Sequence, residues 1–164
     1  MTRKTELVLV PLAEGALLLV LGGVGLALKL PLIFTSLGPT AYEQIEKPET
    51  RSARPYNIIV GHVAALLCGF VALFMVRGFH EPVPSSAGYL TATRVFASVL
   101  GCMLTALINL FLKASQPAAF STTLLVTLGS YESPRAAFTI VLAVVLLAIL
   151  GEPLRKKSLR LRKM

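Results

Sequence analysis

Two short polar stretches interrupt long apolar runs, and both contain residue types that bind anions at helix starts. They read SLGPT at positions 36–40 and SQPAAFST at positions 115–122. Serine is a favoured cap before a helix, and proline is tolerated in a first turn because the N–H that it lacks has no partner there. Helix starts present free N–H groups and a partial positive charge, so both stretches predict a site for a small anion. The residues expected to contribute are Ser36, Gly38, Pro39, Thr40, Ser115, Gln116, Pro117 and Thr122.

Polar and basic residues of neighbouring segments would complete this site. His62 lies inside an apolar helix, where an ionisable residue indicates a function, either as a proton carrier or as a hydrogen-bond donor. Asn57 is expected to cap that helix. Arg54 and Lys113 would supply a positive potential that attracts anions, and Asn109 lies one turn before Lys113 on the same helix face.

Each of these residues also has a purely structural explanation. Ser and Thr often form hydrogen bonds between membrane helices, and proline often only marks a kink. His62 alternatively bonds to a neighbouring helix near the membrane interface. Glu14, about two turns into the first apolar run, either couples transport to protons or lies at the water interface. The sequence leaves these alternatives open.

The residues needed for enzymatic chemistry are absent. The chain has two His and no Asp, and it contains no nucleophile–base pair, paired carboxylates or phosphate-binding glycine loop. Cys68 and Cys102 lie in apolar runs, in a spacing that suits neither a metal site nor a disulfide framework. We therefore expect no enzyme, no metal and no cofactor.

The elements that must position the polar residues are membrane helices. The 164 residues are 55% hydrophobic with a mean hydropathy of +0.75, which is typical of membrane proteins. Four segments are long enough to cross a bilayer, at about 7–28, 57–76, 90–111 and 136–150, the last if it starts near Pro134. The first run is longer than the apolar core of a signal peptide, so it is expected to be retained as a helix.

The connection between the first and second spans and that between the third and fourth each contain an apolar segment too short to cross a bilayer and too hydrophobic for an exposed loop, which indicates a broken or re-entrant half-helix. The halves also show a weak repeat, with PTAY at 39–42 aligned to PAAF at 117–120. We therefore predict an all-α, polytopic membrane helical bundle with four long helices and two half-helices in a two-fold internal repeat. One domain would cover 1–154, with repeat halves at about 7–77 and 90–152 and a basic tail at 155–164. Repeated halves with interrupted segments often mark a transporter site.

Charge predicts the orientation. Arg3 and Lys4 lie near the start, and six of the sixteen basic residues fall in the last ten positions. A basic tail after an apolar helix indicates a cytoplasmic terminus rather than a nucleic-acid site, so both termini are expected in the cytoplasm. Six crossings would place twelve of the sixteen cations inside, and four crossings would place ten there. The number of crossings stays open.

One longer stretch resembles the first signature of the HPP family of small integral membrane proteins. The family's G-[AP]-[ST]-A element is matched by GPTA at 38–41, and its P-x-N-x-x-x-G-H element by PYNIIVGH at 55–62. Where the family carries its His-Pro-Pro motif, this chain reads Ser115-Gln116-Pro117. The resemblance extends over about 7–152. It implies a multi-helix membrane protein, usually described with four spans, and some members are associated with nitrite transport.

The expected function is therefore a transporter or channel for a small inorganic anion, nitrite-like, in the cell inner (plasma) membrane. The alternative is a non-transporting scaffold or accessory subunit whose basic tail binds lipid or a partner. The expected partners are the lipid bilayer and a small anion, with no nucleic acid. A chain of this size can also complete a pathway as a homo-oligomer. The substrate, the direction and the coupling ion stay open.

Overall fold

The computed structural model describes the backbone of residues 3–163 and the side chains of residues 6–162. Within that range the chain forms helices, turns and loops, with no β-strand. The α-helices are α1 (Arg3–Leu28), α2 (Leu37–Glu46), α3 (Pro55–Met75), α4 (Pro84–Ala87), α5 (Ala92–Phe111), α6 (Ala119–Thr127) and α7 (Pro134–Lys163).

Four of these helices are long and apolar enough to cross a bilayer, which takes about 20 residues. The spans are Glu6–Leu28, Pro55–Met75, Ala92–Phe111 and Pro134–Arg162, with mean hydropathies of 2.3, 2.5, 1.8 and 2.4. They match the four predicted segments, and α7 continues past Pro153 through the basic tail as one helix. The prediction of an all-α bundle with four long membrane helices and two short ones is confirmed.

The bundle has two ends, which we name after the chain termini. The terminal end holds the start of α1 and the end of α7, where Glu6 and Arg162 form an ion pair with an N–O distance of 3.2 Å. The opposite end holds the end of α1 and the start of α7. There the Arg135 guanidinium donates to the carbonyl of Lys29 at 3.4 Å.

The α2 segment carries the chain back from the opposite end. It follows Lys29 and ends at Glu46, whose carbonyl accepts from the Arg162 guanidinium at 2.5 Å. α1 therefore runs from the terminal end to the opposite end, and the α2 segment runs back to the terminal end.

The α6 segment runs in the other direction, from the terminal end to the opposite end. The hydroxyl of Tyr56, at the start of α3, donates to the carbonyl of Leu112 at 3.0 Å, so α5 ends at the terminal end. Arg94, at the start of α5, donates to the carbonyl of Thr127 at 3.0 Å, so α6 ends at the opposite end. The backbone thus passes between the two ends six times, which corresponds to the six-crossing alternative.

The short helices pack across the two halves of the chain. α2 packs against α1 of its own half and α7 of the other, and α6 packs likewise against α5 and α3. α1 also contacts α7, α5 contacts α3, and α3 contacts α7. Exchanging α1–α3 with α5–α7 reproduces this set of contacts. The contacts agree with the predicted two-fold repeat, which stays a prediction because they do not measure how closely the halves superpose.

Glycines bring α3 and α5 close to α6. A Cβ atom at Gly69 would lie 2.9 Å from the Cβ of Val126, and one at Gly101 would lie 2.8 Å from the Cγ2 of Thr123. Small residues permit this close approach between membrane helices. As a result α6 lies tightly between α3 and α5, with its threonine side chains turned into the bundle.

We expect the loop between α2 and α3 to face the same side of the membrane as the last helix turn of α7. In a background with Cys68→Ala and Cys102→Ala, an impermeant maleimide should label Glu49→Cys and Arg160→Cys from one side of sealed vesicles. It should label Ser130→Cys from the other side, because residue 130 lies at the opposite end. All three positions are exposed.

The four-crossing path gives a different pattern with the same variants. It places residue 49 on the side of residue 130. Labelling of Glu49→Cys together with Ser130→Cys would therefore contradict the six passages.

Candidate functional site

The start of α2 lies inside the bundle and contacts α6 through a pair of hydroxyl groups. Ser36 occupies the N-cap position, as predicted, but its side chain makes no cap bond to the helix. Its Oγ lies 3.0 Å from the Oγ1 of Thr122, a residue 86 positions away in α6. Both side chains are fully buried. The two short helices therefore meet at this pair.

Thr40 and His62 extend this polar contact into α3. The Thr40 hydroxyl donates to the carbonyl of Ser36 at 2.7 Å, and its oxygen lies 3.4 Å from the Nε2 of His62. The Nδ1 of His62 lies 2.8 Å from the carbonyl of Ile58. A carbonyl only accepts, so we assign the ring hydrogen to Nδ1. In the neutral ring Nε2 is then an acceptor that faces a threonine hydroxyl.

A second hydroxyl pair connects α5 to α6. The Oγ1 atoms of Thr105 and Thr123 lie 2.7 Å apart. The Thr105 hydroxyl also reaches the carbonyl of Gly101 at 2.8 Å, and the Thr123 hydroxyl reaches that of Ala65 at 3.1 Å. Sequence reasoning missed Thr105. The available signal was the helical spacing of small and polar residues on one buried face of α5.

We name this group of buried polar side chains the hydroxyl seam. It consists of Ser36, Thr40, His62, Thr105, Thr122 and Thr123. All six are 0% exposed, so the seam is closed to water in this conformation. The seam contains hydroxyl groups and one imidazole, without a carboxylate. The start of α2 adds the positive end of a helix dipole. The structure thus brings together four residues of the predicted site: Ser36, Thr40, His62 and Thr122.

The start of α6 differs from the prediction. The helix begins at Ala119 with Ala118 in the N-cap position, so the expectation that Ser115 caps it is wrong. No side chain caps α6, but the Oε1 of Gln116 accepts from the N–H of the N-cap residue Ala118 at 3.2 Å. Its Nε2 also donates to the carbonyl of Ser52 at 3.1 Å. An amide bridges two backbone groups at once, which the exposed Ser115 hydroxyl does not do.

Free N–H groups are therefore found at one short helix and not at the other. In α6 the N–H groups of Ala119, Phe120 and Ser121 bond to carbonyls of the preceding turn at 3.1–3.2 Å. The prediction of free N–H groups at this start is wrong. In α2 the N–H of half-buried Gly38 has no partner among the described residues. A free backbone donor therefore lies beside Ser36 rather than beside Gln116.

Asn57 and Asn109 are both buried near the terminal end. Asn57 is the third residue of α3 and not its cap, a position that Arg54 occupies. Its Nδ2 donates to the carbonyl of Ser115 at 3.2 Å. Asn109 is 5% exposed, and neither its Nδ2 nor its Oδ1 has a partner. A buried amide without partners is costly, so the Asn109 side chain is available to a ligand or to water.

The remaining predicted residues lie at the surface. Pro39, Arg54, Lys113, Ser115 and Pro117 are exposed. Lys113 follows the end of α5 with a left-handed φ of 53°. The structure therefore does not bring the two cations into the seam. They add positive charge to the surface at the terminal end.

Sequence reasoning also missed a buried ion pair at the opposite end. Arg94 is 0% exposed and pairs with Glu132, which precedes α7. It donates to the carbonyl of Glu81 at 2.7 Å and to that of Thr127 at 3.0 Å. The guanidinium thus lies at the C-terminal end of α6, where the helix dipole favours a cation. Three separate segments supply its partners, so local sequence carried no signal for this pair.

A search for metal sites and three comparisons with known proteins complete the description of the site. Among the described residues no group of three His, Cys, Asp or Glu side chains could hold a metal ion. A family model described as "HPP, transmembrane region" matches residues 2–152, which include both short helices and the whole seam. No curated protein and no solved structure matches the chain.

We expect Gln116→Leu to lower the free energy of unfolding by about 1–3 kcal/mol, because it leaves buried backbone groups of Ala118 and Ser52 without partners. Ser115→Ala is the matched control and should change that free energy by less than about 0.5 kcal/mol. Circular dichroism in mixed micelles of rising SDS content measures both. A larger loss of unfolding free energy for Ser115→Ala than for Gln116→Leu would show that Ser115, and not Gln116, stabilises the start of α6.

Proposed function

This chain belongs to the HPP transmembrane family, and we propose that it is a transporter or channel for a small inorganic anion such as nitrite. The family and the four apolar helices make it a multi-pass membrane protein. One observation carries the proposal of transport. Two short helices from opposite ends of the bundle meet at the Ser36–Thr122 hydroxyl pair. Interrupted helices that meet inside a membrane bundle are a common form of substrate site in transporters.

The chemistry of the seam favours an anion over a cation. An ion that leaves water needs polar groups that replace its hydration. The hydroxyls of Ser36, Thr40 and Thr122 can turn their hydrogens toward a bound anion, and the N–H of Gly38 is unpaired. The positive end of the α2 dipole acts in the same direction. Carboxylates, which would attract a cation, are outside the seam.

His62 adds a proton-dependent donor to this site. In the neutral ring its Nε2 accepts, and protonation converts Nε2 into a donor with a positive charge. The nearest seam atom to Nε2 is the hydroxyl oxygen of Thr40 at 3.4 Å. The positive charge of a proton on His62 would therefore be balanced by an anion held at Thr40. Proton binding at His62 and anion binding at Thr40 would then be coupled.

The seam is closed in this conformation, so permeation requires α2 and α6 to separate. The Ser36–Thr122 bond would break, and both hydroxyls would then bond the anion. Segments 29–36 and 112–118 precede the two short helices and are mostly non-helical, so they offer backbone that can change its φ and ψ angles.

We assign the terminal end to the cytoplasm and the protein to the cell inner (plasma) membrane. The exposed cations Arg51, Arg54 and Lys113 lie at the terminal end together with Lys156, Lys157 and Arg160 near the end of α7. An excess of Lys and Arg is typical of the cytoplasmic side of a membrane protein. This assignment supports the six-crossing alternative, which collects more cations inside.

A scaffold or accessory subunit is the second candidate, and the full burial of the seam favours it. On this hypothesis the exposed Lys156, Lys157 and Arg160 of α7 bind lipid or a partner. Deleting the tail would not separate the two functions. Arg155, Ser158 and Arg162 bond the carbonyls of Pro48, Ile45 and Glu46 at 2.8, 2.9 and 2.5 Å, so deletion would also disturb α2. Glutamine at the three exposed positions removes their charge and keeps these bonds.

We expect the purified protein in liposomes to carry at least one of nitrite, nitrate, formate and chloride, measured as anion flux against protein-free vesicles. Ser36→Ala combined with Thr122→Val should lower the flux about tenfold or more, because a hydrogen bond to a charged group contributes roughly 1.5–3 kcal/mol. Ser121→Ala removes a neighbouring hydroxyl that has no bond to α2 and should leave the flux unchanged.

Two results would count against anion transport. One is the absence of flux for all four anions with folded protein, judged by its helical circular dichroism. The other is an equal loss in the Ser121→Ala control. If flux is absent and glutamine at positions 156, 157 and 160 abolishes lipid or partner binding, the scaffold function is supported instead.

A further inference from the structure

An apolar groove runs along the membrane-facing junction of α3 and α5. Its volume is about 520 Å³. Its walls are formed by Ile59, Val63 and Leu67 of α3, by Leu104 and Ile108 of α5, and by Leu112 directly after α5. Ala64 and Cys68 lie between these larger side chains and leave space at its floor. The groove therefore offers apolar surface without a polar group along its length.

The groove has the length of one bilayer leaflet. It extends along α3 from Ile59 to Val71, and twelve residues of helix rise about 18 Å. Half of a hydrocarbon core is about 15 Å thick. On α5 the groove is lined by the last turns and by Leu112, which directly follows the helix, so this wall lies near the terminal end. On α3 the groove begins one turn inside the terminal end and reaches past the middle of the helix. A single acyl chain that enters from the terminal end fits this length.

The polar rim of the groove carries two cations without partners. Lys113 directly follows the groove residue Leu112, and Arg54 precedes α3 on the other side of the junction. The Tyr56 hydroxyl joins the two sides by donating to the Leu112 carbonyl at 3.0 Å. Both cationic side chains are exposed, and neither forms an ion pair within the described residues. Tyr56 is 54% exposed, which suits an aromatic ring at the headgroup level.

We propose that the α3–α5 groove binds one anionic phospholipid, whose phosphate contacts Arg54 and Lys113 and one of whose acyl chains lies in the groove. Basic positions between membrane helices recognise anionic headgroups through charge. The apolar groove below these cations also contacts an acyl chain of the lipid. This second contact holds one lipid in place, whereas charge alone would attract lipids that exchange freely. This inference is independent of anion permeation.

Charge argues for a lipid over a second copy of the chain. Two copies inserted in the same orientation and related by a two-fold axis would face each other with the same end at the same level. Arg54 and Lys113 of both copies would then lie side by side, and like charges repel. A phospholipid phosphate has the opposite charge and neutralises the same rim.

Native mass spectrometry of the full chain tests the proposal with dioleoyl phosphatidylglycerol and dioleoyl phosphatidylcholine, which share the same acyl chains. We expect phosphatidylglycerol to bind in preference, with one lipid per chain. Arg54→Gln with Lys113→Gln should weaken its binding roughly 10- to 30-fold. Lys29→Gln with Arg77→Gln removes the same charge from exposed positions at the opposite end and should leave binding unchanged. Ala64→Phe with Cys68→Phe fills the groove and should weaken the binding of both lipids.

The other outcomes overturn the proposal. Equal binding of both lipids shows that the rim does not select charge. An equal loss in the Lys29 and Arg77 control shows a general surface effect. A two-copy species that disappears on filling the groove, while phosphatidylglycerol still binds, assigns the groove to a second copy. If the groove-filled variant loses its helical circular dichroism, the two charge variants alone decide.

Discussion

Hydrocarbon cannot form hydrogen bonds, so a helix that begins or ends within a bundle in the membrane must have its open backbone groups bonded by the protein. At three of their four ends the short helices meet this constraint with side chains, and at the start of α2 the N–H of Gly38 has no partner among the described residues. Gln116 bonds the start of α6, and Arg94 bonds the Thr127 carbonyl at its end. At the end of α2, carbonyls accept from Ser158 and Arg162 of α7. The placement of α5 and α7 beside the short helices follows from these bonds as much as from apolar packing.

Different parts of this arrangement could be predicted to different degrees, for physical reasons. The long helices depend on contiguous apolar length, which a sequence displays directly. The two breaks were also visible, because proline and hydroxyl residues stand out in an apolar chain. The role of Gln116 was not visible in the sequence, because its side chain bonds the carbonyl of Ser52, which is a neighbour only in the folded state. Arg94 is similar, because its partners come from three segments. The docking of the tail was readable in principle, as positions 155, 158 and 162 recur at the spacing of one helix face.

A seam of hydroxyl groups behaves differently from a seam of fixed charges. Each hydroxyl donates and accepts, so the group satisfies itself when the bundle is closed and needs no bound ion for stability. Thr40 and Thr123 direct their hydrogens to backbone carbonyls in this state. Rotation about a single bond redirects them. In the closed form no polar side-chain atom of the seam is therefore without a partner, whereas the buried amide of Asn109, outside the seam, has none.

The crossed packing of the short helices has a consequence for how the chain is made. The carbonyls of Ile45 and Glu46 find their partners 113 and 116 residues later in the chain. A ribosome delivers these segments in order, so α2 enters the membrane long before α7 exists. Until then its open end must stay at the water interface or be shielded by the insertion machinery. The bonds that complete the first half therefore form only when α7 has been synthesised. A chain that stops before α7 leaves the carbonyls at the end of α2 without these partners.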